Sequence, residues 1–337
     1  MAETRLPRAE AEALLASALV ASEVSEANAR SVAAALVAAE IDGQPGHGLG
    51  RLPAYCAQAR SGKVDGRATP LTERVRPAFL RVDAAHGFAF PALDLATEAL
   101  ADLAAETGVA AAGVVRSHHA GQMARHVERL AERGRMALMV ANTPRAMAPW
   151  GGREALFGTN PIAFAAPRPD APPLVIDLSL SKVARGKVVA AARRGEPIPE
   201  GWALDAEGRP TTDAKAALAG TMIPMADAKG AALALMVEAL AASLTGARHS
   251  WEASSFLDAE GPPPGVGQLL IAFDAGLAEG YAARIGALVA AVAAQEGARL
   301  PGERRLALRA RAEAEGVAIP DAIRLEIDRL TTSGAKP

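Results

Sequence analysis

The segment Gly43-Gln-Pro-Gly-His-Gly-Leu-Gly50 holds a histidine among four glycines and a proline, and Arg51 follows it directly. Such a composition cannot sustain a regular helix or strand, so the segment reads as a turn or loop. An imidazole is the side chain whose ordinary titration falls nearest neutral pH, which makes His47 the first candidate for acid/base chemistry. A helical backbone between His47 and Arg51 would bring the guanidinium to the same side, where its planar fork suits a carboxylate. The pair describes proton transfer beside a held carboxylate. By residue type alone, His47 is equally a loop histidine exposed by its glycine neighbours, and Arg51 an ordinary surface arginine.

The usual fingerprints bound the remaining chemistry. No strand is followed by G-x-G-x-x-G, and neither G-x-x-x-x-G-K-[ST] nor H-E-x-x-H occurs, so a Rossmann turn, a P-loop and a zincin helix are not expected. The six histidines show no ligand spacing with carboxylates, and the single cysteine, Cys56, excludes an intrachain disulfide and the cysteine-rich zinc sites. No metal is expected, and the cysteine usage suits a reducing compartment. Lys plus Arg number 36 against 38 Asp plus Glu, a net charge of -2 that leaves no nucleic-acid footprint. The N-terminus MAETRLPRAEAEAL has no basic region followed by an apolar core, and the apolar runs at 136–140 and 232–240 fall short of the ~20 residues that cross a bilayer. A soluble cytoplasmic protein without a membrane or nucleic-acid partner is expected.

The elements that must position these residues come next. A chain of 337 residues suffices for roughly two domains. Hydrophobic residues make up 50% but aromatics only 4%, because much of the apolar content is alanine, so many closely packed helices are expected. Helical periodicity covers 9–20 and 25–40, the second with a stripe of Val32, Leu36 and Val37. After the His47 loop, a packed piece starts at Leu52, Pro53 and Tyr55. Residues 60–87 read as a transition, and 92–106 as a helix. From Val114 the chain changes to short apolar runs at 114–115, 136–142, 160–167 and 173–178, bounded by turn residues, which read as buried strands. Met123, Val127 and Leu130 mark a helix between the first two, and 216–219 and 230–245 mark further helical stretches. A strand at 268–274 precedes an alanine-rich helix at 280–295. Leu306 and Ala310, set among Arg305, Arg309 and Arg311, read as a charged surface helix, and 331–337 as a frayed tail.

Several motifs in order carry a resemblance that no single glycine pattern would. Gly46-His-Gly-Leu-Gly-Arg51-Leu-Pro-Ala-Tyr55, Ser117-His-His-Ala-Gly121, Ala146-Met-Ala-Pro-Trp-Gly-Gly152 and Gly158-Thr-Asn-Pro-Ile-Ala-Phe-Ala-Ala-Pro167 resemble the malate/L-lactate dehydrogenase family of the second type. Val183-Ala-Arg-Gly-Lys187, Ile198-Pro-Glu-Gly-Trp-Ala-Leu-Asp205, Pro210-Thr-Thr-Asp213, Lys229-Gly230 with Ala234-Leu-Met-Val-Glu238, and Leu300-Pro-Gly-Glu-Arg304 continue the match over nearly the whole chain. The resemblance implies an α/β protein with the sulfolactate/malate dehydrogenase-like, non-Rossmann fold. Its cofactor domain has a mixed, largely antiparallel central sheet, and its second domain is helical. Residues 1–115 plus 300–337 would form the mainly helical substrate and dimerisation domain, and 116–299 the NAD(P)-binding domain. An active homodimer is implied, acting on a small carboxylate with NADP or NAD, slightly favouring NADP.

The same resemblance assigns roles. His47 or His119 would be the proton donor, Arg51 would clamp the carboxylate, and Asp177 would contact cofactor or orient the catalytic histidine. Thr143, Thr159, Asn160, Asp177, Leu178, Ser179, Lys229, Gly230, Pro301, Gly302 and Glu303 fall on segments expected to contact the dinucleotide. The chain departs from the family pattern at Gly46, where serine is common, at Arg116 and Ala120 around His119, and at Met225-Ala-Asp-Ala228, where a glycine pair often precedes the lysine. Arg116 would make the pocket more polar, or point to solvent or cofactor phosphate. His118 is expected to project away from His119, and His126 to be structural or exposed. Arg185 and Lys187 would cap a helix, bind phosphate or solvate a face, and Trp150 and Trp202 are expected to pack. The expected reaction interconverts a 2-hydroxy acid and its 2-keto acid, of the malate, lactate or sulfolactate kind. The alternative is NADPH-dependent reduction of cyclic α-imino acids, pyrroline- or piperideine-2-carboxylate. A remote alternative is an inactive dinucleotide-binding oligomer.

Overall fold

The computed structural model describes residues 3–334. Strand β1 (Glu3–Leu6) is followed by helices α1 (Arg8–Val20), α2 (Glu26–Ile41) and α3 (Leu52–Ser61), with a 3-10 turn at Leu49–Arg51 leading into α3. The hairpin β2 (Leu71–Arg76) and β3 (Phe79–Asp83) comes next. Then follow α4 (Ala89–Thr107), β4 (Val109–Ser117), α5 (Ala124–Glu132), β5 (Arg135–Ala141), β6 (Ile162–Ala166) and β7 (Leu174–Leu178). A smaller unit holds α6 (Arg185–Arg194), β8 (Ala203–Leu204), β9 (Pro210–Thr211), α7 (Ala214–Ala219), β10 (Thr221–Met222) and α8 (Ala228–Glu238), whose end continues as a π turn over Ala239–Ser243. The chain closes with β11 (Val266–Asp274), α9 (Tyr281–Ala293), α10 (Glu303–Glu315), β12 (Val317–Pro320) and α11 (Asp321–Gly334).

The central sheet has seven strands in the order β2-β3-β4-β11-β5-β6-β7, and only β3 and β4 run parallel, so it is mixed and largely antiparallel. Helices α4 and α5 cover one face through Leu93, Leu100, Val127 and Leu130, all fully buried. Each such side chain contributes about 1.5–3 kcal/mol relative to exposure. The other face packs on Met147, Leu180, Met222, Ala234 and Val237. A separate core joins α1, α2 and α3 to β12 and α11 through Leu15, Leu36, Leu52, Tyr55 and Ile319, forming the helical unit. Local signals start and stop these elements. The Ser25 hydroxyl accepts from the Asn28 N–H at 3.4 Å at the start of α2, and Gly62 ends α3 at φ 76 in the left-handed region. Among the described residues no helix is long and apolar enough to cross a membrane.

Four expectations need correction. Residues 60–87 hold the hairpin β2–β3, not only a transition, and β3 pairs with β4 in the central sheet. Strand β2 is exposed along most of its length, so its residues show no apolar face to read. Strand β4 begins at Val109, earlier than its β-branched residues indicate, because alanines 110–112 carry no strand signal. The expected domain division at 115 therefore falls inside a central strand. Around Leu306, α10 is not simply a charged surface helix. Arg305 is buried and forms two 2.9 Å bonds to the Glu128 carboxylate, while Arg309 bridges Glu128 at 2.7 Å and Asp42 at 2.6 Å. Gln122 donates to Asp42 at 2.6 Å, so this cluster ties the ends of the His47 and His119 loops to α10. Finally, residues 331–334 continue α11, and the rest of the expected tail, 335–337, lies outside the described residues.

Candidate active site

The loop after α2 is folded back on that helix. The Leu49 N–H donates to Glu40 Oε2 at 3.0 Å, and a Cβ on Gly48 would lie 2.2 Å from the same oxygen, so a larger residue at position 48 would displace that carboxylate. The Gly46 carbonyl accepts from Arg51 Nε at 2.7 Å, which fixes the guanidinium beside the loop. One helical turn later, Tyr55 projects into the core with no exposure. Its hydroxyl lies 2.6 Å from Nδ1 of His119, which sits in the loop leaving β4. Nε2 of His119 lies 3.2 Å from Nδ1 of His47. The fold thus brings His47, Arg51 and His119 together and adds Tyr55. A four-residue step from Arg51 along a helix could have found that tyrosine.

Burial dominates the electrostatics. It lowers His47 to about 4, with the Arg51 charge adding to the effect, and it takes His119 well below its ordinary value, helped by Arg51, His47 and His118. Burial also raises the Tyr55 hydroxyl above its ordinary range. At neutral pH the chain Tyr55–His119–His47 is uncharged and Arg51 is its neighbouring cation. Nη1 of Arg51 is buried without a hydrogen-bond partner. Such a donor costs about 1–3 kcal/mol or more, a cost that an incoming carboxylate oxygen removes.

His118 does not project into this chain. It is buried among Tyr55, Phe88 and Phe256, lowered to about 3 mainly by burial, and neither ring nitrogen has a partner. Phe256 also closes over His119, with ring centroids 5.2 Å apart. The segment carrying Phe256 is tied to α3. Lys63 Nζ, fully buried, donates to Asp258 Oδ1 at 2.8 Å and to the Asp258 carbonyl at 3.1 Å, and Gln58 donates to that carbonyl at 2.8 Å. Phe256, Lys63 and Asp258 were not singled out in the sequence, and no local pattern marks them. His126 is fully buried on α5.

The expected dinucleotide contacts divide into two groups. Leu178 is exposed at the end of β7, Ser179 follows it, and the turn Pro301-Gly302-Glu303 rests against the Val175 carbonyl, 3.5 Å from where a Cβ on Gly302 would stand. The neighbouring Leu180 accepts at its carbonyl from the Met225 N–H at 2.8 Å, and a Cβ on Gly230 would lie 1.9 Å from the Met225 carbonyl. Lys229 is exposed at the first turn of α8 and enters no ion pair among the described residues. An exposed ammonium beside a helix N-terminus fits a phosphate, so Leu178, Ser179, Lys229, Gly230 and 301–303 form an edge suited to a dinucleotide. The loop before it keeps the glycine-like path despite its sequence, with Ala226 at φ 50 and Asp227 at φ 54.

The second group makes bonds within the protein. Asn160 is fully buried, and its amide donates to Glu238 Oε1 at 2.9 Å and to the Ala234 carbonyl at 3.1 Å. Thr143 Oγ1 accepts from the Thr159 N–H at 2.9 Å, so these two half-buried threonines brace each other. Asp177 does not orient a histidine by hydrogen bond. Its Oδ2 accepts from the Ala124 N–H at 2.8 Å at the start of α5, and burial raises its pKa to about 6 against that bond. Arg116 is held by Asp83, with Nε 2.8 Å from Oδ1, and its side chain is half exposed. Trp150 is exposed, not packed, whereas Trp202 is half-buried against the core under the sheet.

Comparison with known proteins places this geometry. Residues 6–328 match the family model described as Malate/L-lactate dehydrogenase. The chain is 55% identical over 315 residues, 93% of its length and 94% of the relative's, to (2R)-3-sulfolactate dehydrogenase (NADP(+)) of Chromohalobacter salexigens. It is 44% identical over 324 residues, 94% of each chain, to Δ1-pyrroline-2-carboxylate/Δ1-piperideine-2-carboxylate reductase of Pseudomonas putida. Among solved structures, Δ1-piperideine-2-carboxylate reductase of Pseudomonas syringae pv. tomato superposes with a TM-score of 0.91 at 40% identity, covering 97% of this chain and 99% of that one. Sulfolactate dehydrogenase of Methanocaldococcus jannaschii superposes at 0.88 and 27% identity, covering 98% and 97%. An NAD(P)-dependent oxidoreductase with a non-Rossmann fold, the chain belongs to the malate/L-lactate dehydrogenase family.

Proposed function

We propose that the protein reduces a cyclic α-imino acid, Δ1-pyrroline-2-carboxylate or Δ1-piperideine-2-carboxylate, with NADPH. The observation that carries this reading is the unpaired, buried Nη1 of Arg51 beside His47, whose imidazole burial holds neutral with a pKa lowered to about 4. Reduction of a ketone needs a proton delivered to oxygen as hydride arrives, and a donor held far below neutral pH is scarcely protonated there. A cyclic imine brings its own proton on nitrogen. Uncharged imidazoles do not repel that cation, and a lone pair on His47 Nε2 suits its N–H. Arg51 Nη1 takes the carboxylate, and pairing it removes the guanidinium contribution to the His47 shift while the burial contribution stays. The contacts from Tyr55 through His119 orient the His47 ring, and a tautomer with the proton on Nδ1 leaves the Nε2 lone pair for the substrate N–H.

The residues at the end of β7, at Lys229-Gly230 and at 301–303 would hold the dinucleotide along the sheet edge, while the helical unit supplies His47 and Arg51. The bound nicotinamide supplies the hydride. Phe256, on the segment tied to α3 through the buried Lys63, covers His119. Exposed Leu233, Leu235 and Met236 on α8 and Leu288 on α9 support a homodimer that covers them, which light scattering of the eluting protein tests.

The second reading is oxidoreduction of a 2-hydroxy acid of the sulfolactate kind. It is favoured by the 55% identical relative, and in the oxidative direction a neutral imidazole is a ready base. Absorbance at 340 nm tests both readings, with NADPH or NADH offered separately with each cyclic imine, sulfopyruvate, pyruvate and oxaloacetate. Turnover of the imines with NADPH supports the first reading. Turnover confined to a keto acid overturns it in favour of the second.

A further inference from the structure

Arg145, Arg153, Arg185, Glu154 and Thr221, with Gly220, line a half-open cavity of about 450 Å³ to which none of the histidines contributes. Three arginines against one glutamate give its wall a net charge of +2, and none of the four enters an ion pair among the described residues. Two donors on the wall lack an acceptor. Arg185, the first residue of α6, is anchored through Nη1 to the Arg145 carbonyl at 3.0 Å, yet its Nε is buried and unpartnered. Thr221, only 3% exposed on β10, has a buried hydroxyl without a partner. Helix α6 also starts without a side-chain cap, leaving first-turn N–H groups and the positive end of its dipole near Arg185.

Buried donors without acceptors are uncommon in native proteins, and two on one cationic wall call for an acceptor the protein does not supply. A carboxylate has two oxygens. Three guanidinium groups and a hydroxyl offer more donors than it can use, whereas a phosphate has additional oxygens and a charge that matches the wall. We propose that this cavity is a phosphate-binding subsite, separate from the carboxylate place at Arg51, with Arg185 and Thr221 as its fixed donors and Arg145 and Arg153 closing over the anion. Glu154 sits on the same wall and reduces its charge. The proposal does not depend on which acid is reduced. The phosphate is either free in solution or carried by the dinucleotide as its 2'-phosphate.

Calorimetric titration of the full chain with inorganic phosphate tests this, alongside Arg185→Gln, Thr221→Val and Arg153→Gln, with thermal melts to show that each variant folds. Arg153 is exposed, so its variant keeps the test valid if the others lose stability. The expected result is stoichiometric phosphate binding weakened by about 10-fold or more in Arg185→Gln and Arg153→Gln and less in Thr221→Val. NADPH and NADH affinities, read by nicotinamide fluorescence, identify the source. If phosphate competes with NADPH and not with NADH, and Arg153→Gln weakens NADPH alone, the dinucleotide carries the group. If neither cofactor competes, the anion is free. No phosphate binding by the native protein together with equal NADPH and NADH affinities in all variants, or binding that none of the variants weakens, overturns the proposal. Turnover of the imine with NADH by the native protein keeps that failure distinct from failure of the proposed reaction.

Discussion

Tyr55 holds His119 by a 2.6 Å contact between its hydroxyl and Nδ1, and the other ring nitrogen of His119 reaches His47 at 3.2 Å. A tyrosine buried on α3 thereby sets the orientation of a histidine on the other side of the cleft. Tyr55→Phe keeps the ring and its packing but leaves Nδ1 without a partner. We expect kcat to fall about 10- to 100-fold with little change in melting temperature, the loss of one hydrogen bond that orients His119 and, through it, His47. Steady-state kinetics with a parallel melt check this, and an unchanged kcat would show that the contact is idle.

Arg51→Lys retains the charge but removes the fork. Nε no longer reaches the Gly46 carbonyl, and the vacant Nη1 donor disappears. KM for the carboxylate substrate should rise about 10- to 100-fold, more than kcat falls, because the lost interaction is with a part of the substrate that does not react. A fall in kcat alone would place Arg51 elsewhere in the mechanism.

The cluster of Asp42, Glu128, Arg305 and Arg309 is a stability prediction. Removing one partner leaves buried charge uncompensated, so Glu128→Ala should destabilise by about 3–5 kcal/mol. Urea unfolding measures it. Because Asp42 begins the His47 loop, and Gln122 follows the His119 loop and bonds Asp42, a partly folded variant should also lose activity before it loses secondary structure.

Stability should depend on pH through the buried histidines. His47 is lowered to about 4, and His118 and His126 to about 3, all principally by burial. The unfolded chain binds those protons from about pH 6.5 downward and the folded chain does not, so stability is full above pH 6.5 and declines as pH falls toward 4. Asp177, raised to about 6, and Glu40, also raised, act in the opposite direction, since the folded state holds their protons first. With more histidines than carboxylates, the net slope is a loss on acidification. His126→Leu removes one contribution and should flatten the curve between pH 6.5 and 4 in melts across pH, and an unchanged slope would contradict the assignment.

Much of the framework could be read directly. The stripe of Val32, Leu36 and Val37 is buried on α2, and the glycine-rich loop with His47 and Arg51 is where it was expected. Ordered motifs identified the family, because they depend on residue types at short spacing. The hairpin β2–β3 was not visible, since an exposed edge strand needs no apolar face, and alanine hid the start of β4 because alanine carries little preference for a strand.

What the sequence determined by itself is local: where helices repeat their apolar positions, where glycines force a turn, and which side chains carry chemistry. Only the tertiary structure decided that His47 meets His119 across 72 positions, that Phe256 covers His119, that Arg305 is buried instead of solvated, and that Asn160 and Asp177 make bonds within the protein. The physical reason is that backbone periodicity fixes spacing over a few residues. Contacts across dozens of residues are fixed by which apolar faces bury one another, and the same burial sets the charge states of the histidines.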